Sequence, residues 1–358
     1  MRAWAIAAGL VLIALVLWDA FETIILSRRV SRKIRLATFF YRLTWPAWRA
    51  LGRWMRPGNS RENYLSVYGP LSLIGLLVLW AVSLIFSFAM LLWGLNAPIR
   101  QVVGTEGFPE YLYFSGSTFF TLGLGDVAPL STDGRALSVA EAGTGFAFLA
   151  LMISYLPILY QAFSRREVDI ALLDARAGSP PSAAELLRRH AGDSESLGQL
   201  LLDWEKWSAQ LLESQISFPV LAYFRSQHDN QSWLAGLTMI LDTSSLLIVS
   251  MEGALVRSAR LTFAMARHAM ADMNAIFSRR RPVPDADDRL RPEELERLLE
   301  RLAASDVLLP RTPDVLGRLA ELRAMYEPYA RALSRHLLMP LPPWLPAANA
   351  PDNWQSLE

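Results

Sequence analysis

Residues 71–95 read LSLIGLLVLWAVSLIFSFAMLLWGL, 25 positions without one charge. About 20 helical residues cross the roughly 30 Å hydrocarbon core of a bilayer, so this run predicts a membrane span. Two further runs predict the same. Residues 3–17 (AWAIAAGLVLIALVL) continue through Asp19 and Glu22 to Leu26, and residues 136–163 carry a single charge, Glu141. The first run is expected to be retained. Acids and then basic residues follow it, instead of the small-residue cleavage site of a signal peptide. The expected fold class is an all-α membrane protein.

Composition narrows the chemistry. Mean hydropathy is +0.22 and only 19% of residues are charged, too apolar for an average soluble chain. There is no Cys, which excludes disulfides, thiolate catalysis and Cys-ligated metal. The four His (His190, His228, His268, His336) lie too far apart for a helical metal pair. A net charge of +1 argues against a general nucleic-acid binder. No catalytic residue stands out, and the chain is not expected to be an enzyme.

The charges that remain orient the spans. Residues 27–64 hold ten basic residues (Arg28, Arg29, Arg32, Lys33, Arg35, Arg42, Arg49, Arg53, Arg56, Arg61) and one acid, Glu62. Residues 96–134 hold Arg100 against Glu106, Glu110, Asp126 and Asp133. Basic loops stay in the cytoplasm, so the N-terminus is expected outside the cell membrane and residues 164–358 inside. Arg165 and Arg166 agree. Residues 36–56 (LATFFYRLTWPAWRALGRWMR) mix aromatics with Arg at near-helical spacing. They read as an amphipathic helix on the inner surface, interrupted near Pro46, or as a packed linker. Asp19 and Glu22, three apart on one helical face, are expected to pair with Arg28, Arg29 or an Arg of that helix; binding or sensing a cation is the other reading.

Residues 108–134 (FPEYLYFSGSTFFTLGLGDVAPLSTDG) are too short to cross twice yet largely apolar from Tyr111 to Leu124. A re-entrant segment fits. Pro109 and Glu110 signal a helix start, giving a helix over about 109–120. Then follows Thr121-Leu122-Gly123-Leu124-Gly125-Asp126. Successive carbonyls that face one way need alternate residues at positive φ, which glycine adopts cheaply.

This stretch, between two full spans and before Pro129 and Gly134-Arg135, resembles the selectivity filter of bacterial potassium channels, Thr-Val-Gly-Tyr-Gly-Asp. The resemblance covers about residues 65–163. It implies a homotetramer, since one loop is a quarter of a ring. It also implies K+ as the permeant ion, held at Thr121, Leu122, Gly123 and Leu124 by carbonyls and the threonine hydroxyl, with Gly125 completing the filter. Asp126 matches the aspartate that braces the outer mouth, and Gly145, with Gly143 nearby, the hinge glycine of the inner helix. Three positions depart from the family. Leu124 replaces the usual Tyr, Phe120 a common Thr, and Ser117 stands where some relatives place a Glu. Glu141 is the candidate to supply that carboxylate from behind the filter. Pro157 is a candidate kink near the gate.

Residues 164–358 carry 22 basic and 26 acidic residues, a soluble-like balance. Helices are expected over 182–191, 195–213, 216–226, 231–277, 293–304 and 314–338, with Ser182 and Glu185 as a capping box, a linker at 278–292 and an extended tail after 339. The apolar run 234–250 has Asp242, Thr243, Ser244 and Ser245 at its centre, so it reads as a buried helix and not a fourth span. No dinucleotide fingerprint is present. Two clusters are candidate regulatory sites: Arg225, His228, Asp229 and Trp233, and the row Arg257, Arg260, Arg267 and His268. Their ligand is not named by the sequence.

The reading is a multi-pass, tetrameric potassium channel. Its parts are an N-terminal span (1–27), a basic linker (28–64), a pore domain (65–163) and a helical cytoplasmic domain (164–358) that gates or assembles it. K+ is the only small partner expected, beside lipid and the chain's own copies. A weakly selective monovalent cation channel is one alternative, and a non-conducting membrane sensor or assembly protein with a degenerate loop is another.

Overall fold

The computed structural model describes residues 2–26, 35–101, 107–228, 230–277, 288–304, 310 and 312–346. Arg28, Arg29, Arg32, Lys33, Glu106, Asp229, most of the 278–292 linker and the end of the tail lie outside the described residues. Contacts divide the chain into two units. Residues 1–51 and 67–161 form one, and residues 52–66 and 162–358 the other.

The first unit is built on long apolar helices. α1 covers Ala3–Ala20 and runs on as a π turn, Phe21–Ile25; α2 covers Leu36–Trp54 and α3 covers Asn59–Gly94. At 36 residues α3 is about 54 Å long, more than a hydrocarbon core requires. α1 runs antiparallel to α3. Arg2 N donates to Gly94 O at 3.1 Å and its guanidinium stacks 3.5 Å from the Trp93 ring. At the other end Trp80 Nε1 donates to Asp19 Oδ2 at 3.0 Å. Asp19 also accepts from Ala37 N at 3.0 Å, so one carboxylate sits at the N-terminus of α2, where helix N–H groups lack partners. Arg35 lies 3.9 Å from Asp19 and 3.5 Å from Glu22. The acids of α1 therefore pair with Arg35, one residue before the helix expected to supply their partner.

Of the two readings of residues 36–56, α2 follows the packed one, without the interruption expected near Pro46. It is continuous through Pro46. Along its length Phe40 lies over Gly75, while Thr44 Oγ1 is 2.9 Å from Tyr68 Oη and Trp45 packs on Tyr68 at 4.8 Å between ring centroids. Rising residue numbers in α2 meet falling numbers in α3, so α2 packs alongside α3 in the opposite direction. Proline at 46 removes one helix hydrogen bond, and the aromatic packing of Trp45 and Trp48 on Tyr68 holds the helix there.

Beyond α3 come a short strand β1 (Ile99–Gln101), α4 (Phe108–Phe119), β2 (Val127–Pro129) and α5 (Thr132–Ala177). β1 pairs antiparallel with β2, Arg100 opposite Ala128. The core gathers Val16, Ala37, Leu76, Trp80, Leu84 and Phe119, so α1, α2, α3 and the end of α4 meet at one apolar centre.

The second unit is helical among its described residues. It holds α6 (Ala183–Arg189), α7 (Ser194–Ser217), a 3₁₀ turn (Pro219–Tyr223), α8 (Trp233–Ser250), α9 (Ala254–Phe277), α10 (Pro292–Ala303), α11 (Pro313–Ala324) and α12 (Glu327–Leu337). Three expected helices change. The 231–277 helix breaks at Gly253, φ +82°; the 314–338 helix restarts before Pro328, which has no N–H to continue it; and 216–226 is only the turn after Pro219. α5 extends to Ala177, past the expected end of its span. α8 has the length and apolarity of a span, but 89% of its apolar window is buried by protein. Asp242 within it is fully buried, 2.6 Å from Arg289 and 2.5 Å from the Tyr326 hydroxyl. Its charge is met inside the fold, as expected of a buried helix.

Ser182 caps α6 by accepting from Glu185 N at 3.4 Å, but the Glu185 carboxylate turns away to Arg188 at 2.6 Å and Arg189 at 2.7 Å. The box closes on one side only. The Arg188 hydrogen bond is the main reason that this carboxyl is pulled down to about 2, against the cost of burial.

Two outcomes test these contacts. Asp19→Ala leaves a buried indole N–H and a helix N–H unpaired, each about 1–3 kcal/mol. It is expected to lower the thermal midpoint of the detergent-purified protein well beyond Asp19→Asn, which keeps an acceptor. A depressed carboxyl stabilises above its unfolded pKa and loses that contribution as pH falls toward the folded value. Wild type should therefore lose stability relative to Glu185→Gln between about pH 4.5 and about pH 2, measured as acid-dependent unfolding of the two proteins.

Candidate functional site

α4 is short because its ends are chemically closed. Gly107 N donates to Glu110 Oε2 at 3.1 Å at the start. At the finish, Thr121 N donates to Thr118 O at 3.0 Å and Leu122 N to Ser117 O at 2.8 Å, with Thr121 at φ +55°. That is a Schellman cap. It is occupied by a β-branched residue for which left-handed backbone costs about 1–2 kcal/mol. Such strain collects at functional sites.

Gly123 follows at φ +61° and Gly125 at φ +77°. Positive φ thus recurs at 121, 123 and 125. A Cβ built at either glycine meets nothing within 4 Å, so backbone conformation and not crowding calls for glycine here. Thr121, Leu122, Gly123, Leu124 and Gly125 are all exposed in the single chain, as is Phe120.

The other face of α4 is buried. Tyr111, Ser115 and Phe119 recur every fourth residue, with Phe114 beside them. Tyr111 Oη donates to Ala97 O at 2.9 Å. Ser115 Oγ is 2.7 Å from Ile85 O of α3 and hydrogen-bonds Glu141 of α5. The serine thus ties α4 to both long helices. Glu141 is wholly buried, and its Oε2 has no hydrogen-bond partner among the described residues. Its bonded partner is Ser115, not Ser117 or Asp126.

Asp126 instead accepts from the Tyr113 hydroxyl at 2.8 Å and from Val127 N at 3.0 Å. Tyr113 and Ser115 were missed by sequence reasoning. Ser115 had a signal, as the one polar residue in the buried i, i+4 row; Tyr113, 13 residues from Asp126, had none.

Gly145 of α5 lies against the end of α4. A Cβ there would fall inside the Phe119 carbonyl oxygen and 2.9 Å from the carbonyl carbon, whereas a Cβ at Gly143 meets nothing within 4 Å. Gly145 therefore serves close approach of α5 to the end of α4. α5 continues as helix through Pro157.

The candidate regulatory residues are separated. Arg225 donates to Leu337 O at 2.6 Å and Leu338 O at 3.2 Å and lies 3.4 Å from Glu62, so it braces the end of α12. Trp233 is fully buried. His228 is exposed, as are Arg257, Arg260, Arg267 and His268 along α9, where His268 is 3.6 Å from Asp272. Arg166, read as an orienting charge, is buried and donates to Leu221 O at 2.9 Å and Phe224 O at 3.0 Å. Among the described residues no group of three or more His, Asp or Glu is placed to hold a metal ion.

The two glycines of α5 give a paired test. Gly145→Ala should destabilise the protein by the roughly 1–3 kcal/mol typical of overpacking and so lower its thermal midpoint. Gly143→Ala should leave it unchanged or raise it slightly, since alanine favours helix by about 1 kcal/mol over glycine. Equal midpoints for the two variants would contradict the packing described.

Comparison with known proteins agrees with this arrangement. The model of a family described as Ion channel matches residues 74–162. The chain is 24% identical over 203 residues to the uncharacterized membrane protein YdjJ of Bacillus subtilis (strain 168), a match covering 53% of this chain and 58% of that protein. The chain thus spans less than two thirds of that relative's length. No solved structure matches. Residues 74–162, two long apolar helices and the capped segment between them, match the Ion channel family, and the chain is an all-α membrane protein.

Proposed function

We propose that four copies of this chain form a potassium-selective channel. K+ would pass along carbonyls of Thr121, Leu122, Gly123 and Leu124, and the second unit, on the cytoplasmic side, would gate or assemble the pore. The observation that carries this reading is the recurrence of positive φ at 121, 123 and 125. Alternation of this kind lets consecutive carbonyls face one side and replace an ion's hydration.

Exposure adds support. Non-helical backbone at membrane depth must be buried in protein or line water, and in one chain residues 121–125 are uncovered. α5 also exposes Val139, Phe146, Leu149, Ile153, Leu156 and Tyr160, spaced by seven, three, four, three and four residues. That spacing supports packing of α5 on copies of itself.

The test is ion flux through the purified full chain in liposomes. Wild type should carry K+ down its gradient, and Gly123→Ala, strained at φ +61° in every copy, should reduce flux to that of empty vesicles. With K+ on one side and Na+ on the other, the reversal potential should follow K+. A potential near zero would favour a weakly selective pore. Wild-type flux equal to empty vesicles over a range of voltage and pH would contradict the channel reading.

A further inference from the structure

Ser115 has one hydroxyl hydrogen and two oxygens to meet. Its Oγ lies 2.7 Å from Ile85 O of α3 and also hydrogen-bonds Glu141 Oε1 of α5. A backbone carbonyl has no hydrogen to give. Two oxygens at 2.7 Å repel unless a hydrogen lies between them, so Ser115 donates to Ile85 O. That hydrogen is then spent, and Oγ faces Glu141 with a lone pair. An ionised carboxylate only accepts. The bond between Ser115 and Glu141 therefore needs a hydrogen on Glu141.

The surroundings of Glu141 ask for the same. The residue is 0% exposed, and its Oε2 has no hydrogen-bond partner among the described residues. Residues 71–95 of α3 carry no charge. α4 carries one, Glu110, and its carboxylate is bonded to Gly107 N. In α5 the basic residue nearest in sequence is Arg135, about 9 Å earlier along the helix axis, and it donates to Pro129 O at 3.4 Å. No cation on these three helices answers a charge at Glu141, and an uncompensated carboxylate is among the costliest groups to bury. A neutral acid leaves a single carbonyl oxygen, Oε2, without a partner.

We propose that Glu141 is a neutral carboxylic acid that donates its hydrogen to Ser115, and that this relay, from Glu141 through Ser115 to Ile85 O, positions α4 between α5 and α3. Two hydrogens, each used once, join three helices. The carbonyls of Ser117 and Thr118, just beyond Ser115, accept from Leu122 N and Thr121 N. A shift of α4 at Ser115 is thus passed directly into residues 121–125. The proton belongs to the chain whatever it conducts; the positioning role rests on the channel reading.

Infrared difference spectra of the full chain in lipid discs near neutral pH, wild type minus Glu141→Gln, decide the proton. Glutamine keeps the size of the side chain and, through its amide N–H, a donor for Ser115. The expected difference is the carbonyl stretch of a neutral acid, present in wild type and lost in the variant. Loss of carboxylate stretches instead would overturn the proposal. In Ser115→Ala the acid band should remain and move to higher frequency, because its hydrogen has lost its acceptor. An unmoved band would mean that Glu141 donates elsewhere, and would overturn the relay.

Positioning is read as K+ flux in liposomes. Glu141→Gln should keep wild-type flux. Glu141→Met, similar in length but without a donor, should reduce it roughly two- to tenfold, the population shift that one hydrogen bond supports. Equal flux in the two variants would overturn the positioning role. Wild-type flux equal to that of empty vesicles would refute the channel reading alone, a separate failure.

Discussion

Water is absent from the centre of a bilayer, and every polar group placed there needs a partner within the protein. In the proposed channel this constraint governs the 121–125 segment. Its backbone leaves helical geometry, its residues are uncovered in the single chain, and two amides are already committed to closing α4. The remaining carbonyls have only two physical resolutions, enclosure by more protein or contact with a hydrated ion path. In the proposed assembly, four chains around an axis would supply both at once.

The same constraint explains the acids inside apolar helices. Asp19 serves two helices at once, meeting the N-terminus of α2 and the indole of Trp80. Glu141 meets Ser115, which also reaches α3. Each acid lies where helices are joined, and Glu141 does so beside the helix that ends in the glycine-spaced stretch. Asp242 in the second unit is a further case, on an apolar helix whose acid is answered by Arg289 and Tyr326. Close approach does similar work without charge, at Gly145 against Phe119.

Much of this was legible in the residues. Uncharged runs and the helix signals at Pro109 and Glu110 foretold α1, α3, α4 and α5, because length and local chemistry determine them. The positive φ of Gly123 and Gly125 followed from their spacing. Thr121 did not, because its conformation comes from closing α4 and not from any preference of threonine. Glu141 was read as the carboxylate that the chain lacks at Ser117, but its bond to Ser115 was not foreseen, because three-dimensional neighbours of a buried acid depend on how helices cross. Residues 36–56 left a surface helix and a packed linker both open, since the two apolar sides of α2, one packed and one open, blur together in a linear pattern. Arg225 and Arg166 looked available in sequence, yet both are spent on backbone carbonyls.

The most direct check is an image of the full chain in lipid discs at a resolution that traces the backbone. Fourfold symmetry with residues 121–125 lining the axis is the expected result. A monomer or dimer, or a fourfold particle whose glycine-spaced stretch lies away from the axis, would contradict the account.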